Sequence, residues 1–177
     1  MSLAERHDRV LLDALDLPGG VFSGSVWRIT SNGRPPLKGS TSHGRWSGGE
    51  DFSVLYTSCE SYGALAEVGF RLSMEPIWPS RLQHQIHELN VECVKVLDLT
   101  NYDVLQSLGV NTEKYRSLDY LVTSKIAAAA NFLEFDALLV PSARFTCNNL
   151  VVFNERDNKI ELLNSTPVNW AEWRDRK

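Results

Sequence analysis

Gly44-Arg45-Trp46-Ser47-Gly48-Gly49, followed by Val54-Leu55-Tyr56-Thr57-Ser58 and Ala64-Leu65-Ala66-Glu67-Val68, is the segment from which the architecture of this chain unfolds. Its middle piece is a short apolar run rich in β-branched and aromatic residues, which reads as a buried strand over 53–57. A polar break at 58–61 follows, with Ser61 as the expected N-cap of a helix over 62–73. Leu65, Val68 and Leu72 recur there at helical spacing, and Pro76 and Pro79 end the element. Upstream, Ser31 to Gly44 is a polar loop carrying Gly33, Pro35, Pro36 and Gly39. It separates this unit from a strand over 25–30 that holds Trp27 and Arg28.

Working outward, residues 3–16 read as an amphipathic helix with Leu3, Val10, Leu11 and Leu15 on its apolar face, stopped by Pro18-Gly19-Gly20. A strand is expected over 91–99 and a linker over 101–109. A helix over 116–133 follows, with Leu118, Leu121, Val122, Ile126 and Phe132 on its apolar stripe. Strands are expected over 137–141, 149–154 and 160–163. Helices do not alternate strictly with strands, so the pattern is α+β and not a doubly wound parallel sheet. The division expected is an N-terminal helix and linker over 1–20 and one domain over 21–177.

The 177 residues suit one domain, and 43% apolar residues suffice for a core. The net charge of −4 gives no basic stripe for nucleic acid. Arg174, Arg176 and Lys177 read as a solvated tail. Three cysteines, Cys59, Cys93 and Cys147, form neither a disulfide framework nor a zinc pattern and fit a reducing cytoplasm. No apolar leader opens the sequence and no stretch is long enough to span a bilayer. A cytoplasmic protein without membrane contact is therefore the expectation.

Several residues could carry chemistry. Arg45 leaves a glycine-rich loop just before a strand, Tyr56 ends that strand, and Glu67 lies in the next helix. They can converge at one strand end. Arginine offers a planar fork for phosphate, tyrosine a stacking face and a hydroxyl. A fixed carboxylate can stabilise an oxocarbenium-like state when an N-glycosidic bond breaks. The plain alternatives are a Glu67–Arg71 pair at i, i+4 on a solvated face, a core Tyr56 and a solvated Arg45. Ser142, after an apolar strand, could orient a substrate or simply close a turn. No Gly-x-Ser-x-Gly elbow surrounds it. No Gly-x-Gly-x-x-Gly follows a strand, so any NAD site must be built differently from the usual dinucleotide fold. His84 and His87 could share a helical face, but no third ligand is near, and no metal is expected. Cys59 lacks an activating base and reads as packing.

The ordered pieces resemble a RES domain. Trp27-Arg28-Ile29, Gly44-Arg45-Trp46, Val54 to Ser58 and Ala64 to Val68 resemble its front half; Val140-Pro141-Ser142-Ala143-Arg144 and Asn148 to Phe153 resemble its back half. The likeness runs from about Phe22 to Phe153. It implies a fold similar to ADP-ribosyltransferases, with two small sheets and flanking helices around an NAD cleft. It implies an NAD-degrading toxin that cleaves the nicotinamide–ribose bond by hydrolysis or phosphorolysis, with NAD as substrate and an Xre-like antitoxin as partner. Protein mono-ADP-ribosylation and an inactive binding module are the alternatives, and a homo-oligomer stays open. Arg45, Tyr56, Glu67 and Ser142 match the catalytic positions, and Arg28 matches a further phosphate-binding arginine. One departure is Ser47, where the family usually has asparagine after the Arg-Trp pair.

Overall fold

A computed structural model describes residues 7–176. The first helix, α1, spans Arg9–Leu15, with Asp8 capping it by accepting from the Val10 amide. Leu11, Leu12 and Leu15 pack into the core, whereas Val10 points to solvent, contrary to the apolar face expected for it. Leu3 lies outside the described residues. The strands are β1 (Gly20–Ser31), β2 (Val54–Ser58), β3 (His84–Asp98), β4 (Ala137–Pro141), β5 (Asn148–Phe153) and β6 (Lys159–Pro167). The remaining helices are α2 (Ser61–Ser73), α3 (Tyr102–Ser107), α4 (Leu121–Phe132) and α5 (Trp170–Asp175).

The α+β class expected from the sequence holds, but the strands form one connected system and not two separate small sheets. Their order is β1-β2-β5-β4-β3-β6, and β1 also pairs with β3, which closes a ring. Fifteen-residue β3 makes this possible. Its first two thirds lie between β1 and β6, and its last residues, Val96 to Asp98, pair in parallel with β4. The ring has a weak seam, since β1 meets β2 only at Trp27↔Ser58.

Two cores follow from this closure. Val26, Leu55, Leu89, Val91, Leu150 and Val152 form one. The other holds Val54, Leu138, Val140, Val151 and Phe153 with Leu15 of α1 and Ile126 and Ala130 of α4. Alternate residues of β2, β4 and β5 thus enter different cores. Burial on both faces explains why these strands read as unbroken apolar runs.

Several expected elements differ: β1 and β3 start earlier than expected, at Gly20 and His84, and Ser61 is the first residue of α2, with Glu60 at the cap position. Helix α4 starts at Leu121 and not at 116, and Leu118 and Leu121 are exposed. The linker over 101–109 contains α3, capped by Asn101. In the expected solvated tail, Arg174 and Arg176 are exposed but ordered, Arg174 in helix α5 stacking on Trp78 and Arg176 at its C-cap pairing with Glu172, while Lys177 lies outside the described residues. His84 and His87 lie on β3, where residues three apart face opposite sides, so the shared helical face does not exist. His84 accepts from Trp170 Nε1 at 3.0 Å, and His87 bridges Thr30 and Ser165. Burial lowers the pKa of both. Among the described residues no helix is long and apolar enough to cross a membrane.

Candidate active site

A cleft of about 500 Å³ opens at the β1–β2 seam, within the size range of small-molecule sites. Its walls are β1 from Trp27 to Ser31, the end of β2, helix α2, the 40–46 loop and the turn after β4. Arg28, Arg45, Tyr56 and Glu67 line it, and Ser142 reaches it through its bond to Glu67. The expected quartet is therefore brought together.

Glu67 is held by the fold on both sides. A Cβ at Gly63 would lie 2.2 Å from Ser58 Oγ and 2.5 Å from Cys147 Sγ, so α2 sits tightly on the end of β2. A Cβ at Gly69 would lie 2.3 Å from the Trp173 ring, so α5 seats directly on α2. Between these contacts, Glu67 Oε1 accepts from Ser142 Oγ at 2.7 Å and from Asn149 Nδ2 at 3.0 Å. Ser142 Oγ in turn accepts from the amides of Arg144 and Phe145, both at 3.2 Å. The serine is thus a turn serine and a carboxylate partner at once. The pairing of Glu67 with Arg71 on a solvated face does not form; Arg71 lines the cleft.

Tyr56 anchors the loop that carries Arg45. Its hydroxyl accepts from the Trp46 amide at 3.1 Å, and burial pushes its pKa up to about 12, so the phenol keeps its proton. Ser47, the residue that departs from the family pattern, is fully buried. It donates to the Ser42 carbonyl at 2.8 Å and accepts from the Gly49 amide at 3.4 Å. Serine therefore closes this loop where asparagine was expected. Arg45 leaves the loop with its guanidinium 4.8 Å and 4.9 Å from the ring centroids of Tyr115 and Tyr120, and it donates to the Ser117 carbonyl at 3.0 Å. That cation–π sandwich fixes its orientation.

Arg28 differs from its expected role. Its two terminal nitrogens donate to the carbonyls of Tyr56 and Lys38, each at 3.0 Å. The splayed seam leaves the Tyr56 carbonyl without a strand partner from β1, and the Arg28 fork satisfies it. Burial, then the charges of Arg34 and Arg71, lower its pKa to about 10. Arg28 thus ties the seam and adds positive potential, with its fork already engaged by backbone. Cys59 is half-buried, and burial pushes its thiol up to about 11, consistent with packing.

The sequence reading missed Arg34, Arg71, Arg144, Tyr120 and Asn149 as cleft residues. Asn149 lies one residue beyond the start of β5 and reaches Glu67 across 82 positions. Arg144 lies 3.4 Å over the Phe70 ring. Only the two-residue Asn148-Asn149 start of a strand could have pointed to Asn149; arginines in loops or on a helix carry no such signal. Five arginines surround a single glutamate in this cleft although the whole chain is acidic.

Fold and cleft define a small mixed α+β protein with a ring-closed sheet and an arginine-rich cleft around one hydrogen-bonded carboxylate. The RES domain family model matches residues 25–173, and the chain belongs to that family. It is 30% identical over 151 residues to "Probable NAD(+) phosphorylase Rv3189" of Mycobacterium tuberculosis, covering 81% of this chain and 71% of that protein. It is 23% identical over 148 residues to the NAD(+) phosphorylase MbcT of Mycobacterium bovis, covering 80% of each. The crystal structure of the M. tuberculosis MbcT–MbcA toxin–antitoxin complex matches with a TM-score of 0.83 at 23% identity, over 95% of this chain and 97% of that one.

Proposed function

We propose that this protein is an NAD-degrading toxin that cleaves the nicotinamide–ribose bond of NAD in the cytoplasm and is neutralised by an Xre-like antitoxin. The observation that carries the reading is the Ser142–Glu67–Asn149 constellation, one positioned carboxylate inside a cleft that also holds five arginines. Relatives named as NAD(+) phosphorylases support the substrate, and a relative solved with its antitoxin supports the partner. The domain is read as ADP-ribosyltransferase-like, with the cleft at the seam as the NAD site.

In this reading Arg45 holds the pyrophosphate, since its ring sandwich presents a fixed guanidinium. Tyr56 stays neutral and offers its ring and its proton to the nicotinamide ribose. Glu67 uses Oε1 for Ser142 and Asn149, which fixes the carboxylate with its charge facing the sugar. As the C1′–N bond breaks, its electron pair passes to the nicotinamide ring nitrogen and cancels the pyridinium charge. Positive charge builds on the ribose, and the fixed carboxylate stabilises it without reorganising. Arg28 is a positioning residue that holds the seam.

Purified protein incubated with NAD should release nicotinamide, and Glu67→Ala should abolish the release. Wild-type protein that binds NAD yet releases no nicotinamide overturns the reading. Coexpression with a neighbouring Xre-like protein should restore growth to cells arrested by the wild-type chain.

A further inference from the structure

Tyr115 lies behind the cleft, where two separate parts of the site meet. It follows the short turn Thr112–Lys114 and is the one buried residue between Asn111 and Tyr120, so it anchors that stretch to the core. The Arg45 guanidinium lies 4.8 Å from the centroid of its ring. Two residues on, the Ser117 carbonyl accepts from the same guanidinium, and Tyr120 covers it with a second ring. Tyr102 meets the Tyr115 ring edge-on at 5.6 Å and fixes its plane. The Tyr115 hydroxyl donates to the Pro141 carbonyl at 2.8 Å in a buried bond. Burial raises the pKa of this phenol, so the donor keeps its proton. Pro141 ends β4, and the next residue, Ser142, donates to Glu67 Oε1 at 2.7 Å. The Ser142 amide donates to the Cys147 carbonyl at 2.9 Å. The Pro141–Ser142 peptide is therefore tied through its oxygen by Tyr115 and through its nitrogen by Cys147. One side chain thus touches both the guanidinium of Arg45 and the peptide that carries Ser142, and at 4% exposure it is too buried to meet a substrate itself.

We propose that Tyr115 is a positioning residue that joins the arginine half of the site to the carboxylate half. Its ring sets the Arg45 guanidinium; its hydroxyl sets the Pro141–Ser142 peptide and, through Ser142, the Glu67 carboxylate. The proposal rests on the NAD-cleaving reading above. In that reading Arg45 takes the pyrophosphate and Glu67 faces the ribose at the bond that breaks. The two groups must keep a fixed separation for the bound dinucleotide to present C1′ to the carboxylate. A tyrosine suits this task because its ring is rigid and only two torsions orient it. A shift of about 1 Å in such a spacing costs about a hundredfold in rate. Ring and hydroxyl act on different parameters, the ring on NAD affinity and the hydroxyl on the chemical step.

The test compares nicotinamide release from NAD by wild type, Tyr115→Phe and Tyr115→Leu, with melting temperatures as the control for folding. Tyr115→Phe keeps the ring beside Arg45 and removes only the hydroxyl bond. Its kcat should fall roughly tenfold to a hundredfold, with the KM for NAD within about twofold of wild type. Tyr115→Leu removes ring and hydroxyl, so its KM should also rise, by roughly fivefold for the lost cation–π contact. Tyr115→Phe is also made in a Ser142→Ala background, where the hydroxyl has no serine to position. There the further loss of kcat, read as a residual rate at high protein concentration, should shrink to about twofold or less. A kcat for Tyr115→Phe within about twofold of wild type overturns the proposal. An undiminished loss in the Ser142→Ala background does so too, because the hydroxyl then acts on the fold at large and not through Ser142. If Tyr115→Leu does not fold, Tyr115→Phe and the double variant decide the matter alone. No release by the wild-type protein overturns the cleavage reading and this proposal with it, whereas an active wild type with an unaffected Tyr115→Phe overturns the proposal only.

Discussion

Glu67→Gln isolates the charge of the carboxylate from its structural bonds. The amide oxygen of the new residue can still accept from Ser142 Oγ and Asn149 Nδ2, so the packing of α2 should persist. What disappears is one negative charge facing the ribose. At about 4 Å and an effective dielectric of about 20, that charge interacts with a full positive charge by about 4 kcal/mol. The oxocarbenium carries less than a full charge, and Glu67 is only half-buried, so about 3 kcal/mol is the working figure. At 1.36 kcal/mol per factor of ten, kcat should fall between about a hundredfold and a thousandfold. The assay is nicotinamide release under saturating NAD, with NAD affinity measured separately by calorimetry and the melting temperature as a control. A fall of less than tenfold, or a loss lying wholly in NAD affinity, would show that the carboxylate charge does not stabilise the transition state.

Other outcomes follow from the packing and the titrating groups. Gly69→Ala should lower the melting temperature by roughly 2–8 °C, because a Cβ 2.3 Å from the rigid Trp173 ring costs about 2–3 kcal/mol, of which the gain in helix propensity offsets about 1 kcal/mol; an unchanged or higher value contradicts this. Tyr56→Phe should release the loop bearing Arg45, costing about 1 kcal/mol of stability and raising the KM for NAD, while in the wild type no ionisation of this phenol should appear in the pH profile below about pH 11. His84 and His87 have folded pKa values below the usual 6.5, so the unfolded chain takes up protons first as pH falls. Their contribution is present above about pH 6.5 and is lost progressively below it; melting temperatures from pH 7.5 to 5 should show the decline, and His87→Gln should flatten it.

Much of the scaffold was legible along the chain. Strands β2, β4 and β5 stood out because both their faces are largely buried, so each carries an apolar run, Val54–Tyr56, Ala137–Pro141 and Leu150–Phe153, with polar residues only at the strand ends. Helix α2 was legible from its apolar spacing and from the prolines after it. Helix α5 was not, because its six residues are anchored by Trp170, Trp173 and their partners and not by an apolar stripe of their own. The histidines were misread for the same reason. Their setting on β3 comes from pairing with β1 and β6, which no local window contains.

The site divides in the same way. Residue type alone singled out Arg45, Tyr56, Glu67 and Ser142, because a guanidinium, a phenol, a carboxylate and a hydroxyl each carry a recognisable chemistry, and their order along the chain matched a family. Their geometry could not be read there. Glu67 meets Ser142 across 75 positions and Asn149 across 82, contacts that exist because β5 lies between β2 and β4 in the sheet and brings the C-terminal ends of β2 and β4 to its own start. Nor could the chain show that Arg28 would turn to backbone carbonyls, or that Tyr115 would touch both Arg45 and Pro141. Local chemistry is a property of each residue, whereas hydrogen-bond partners and electrostatic field are properties of distance, and the fold sets the distances.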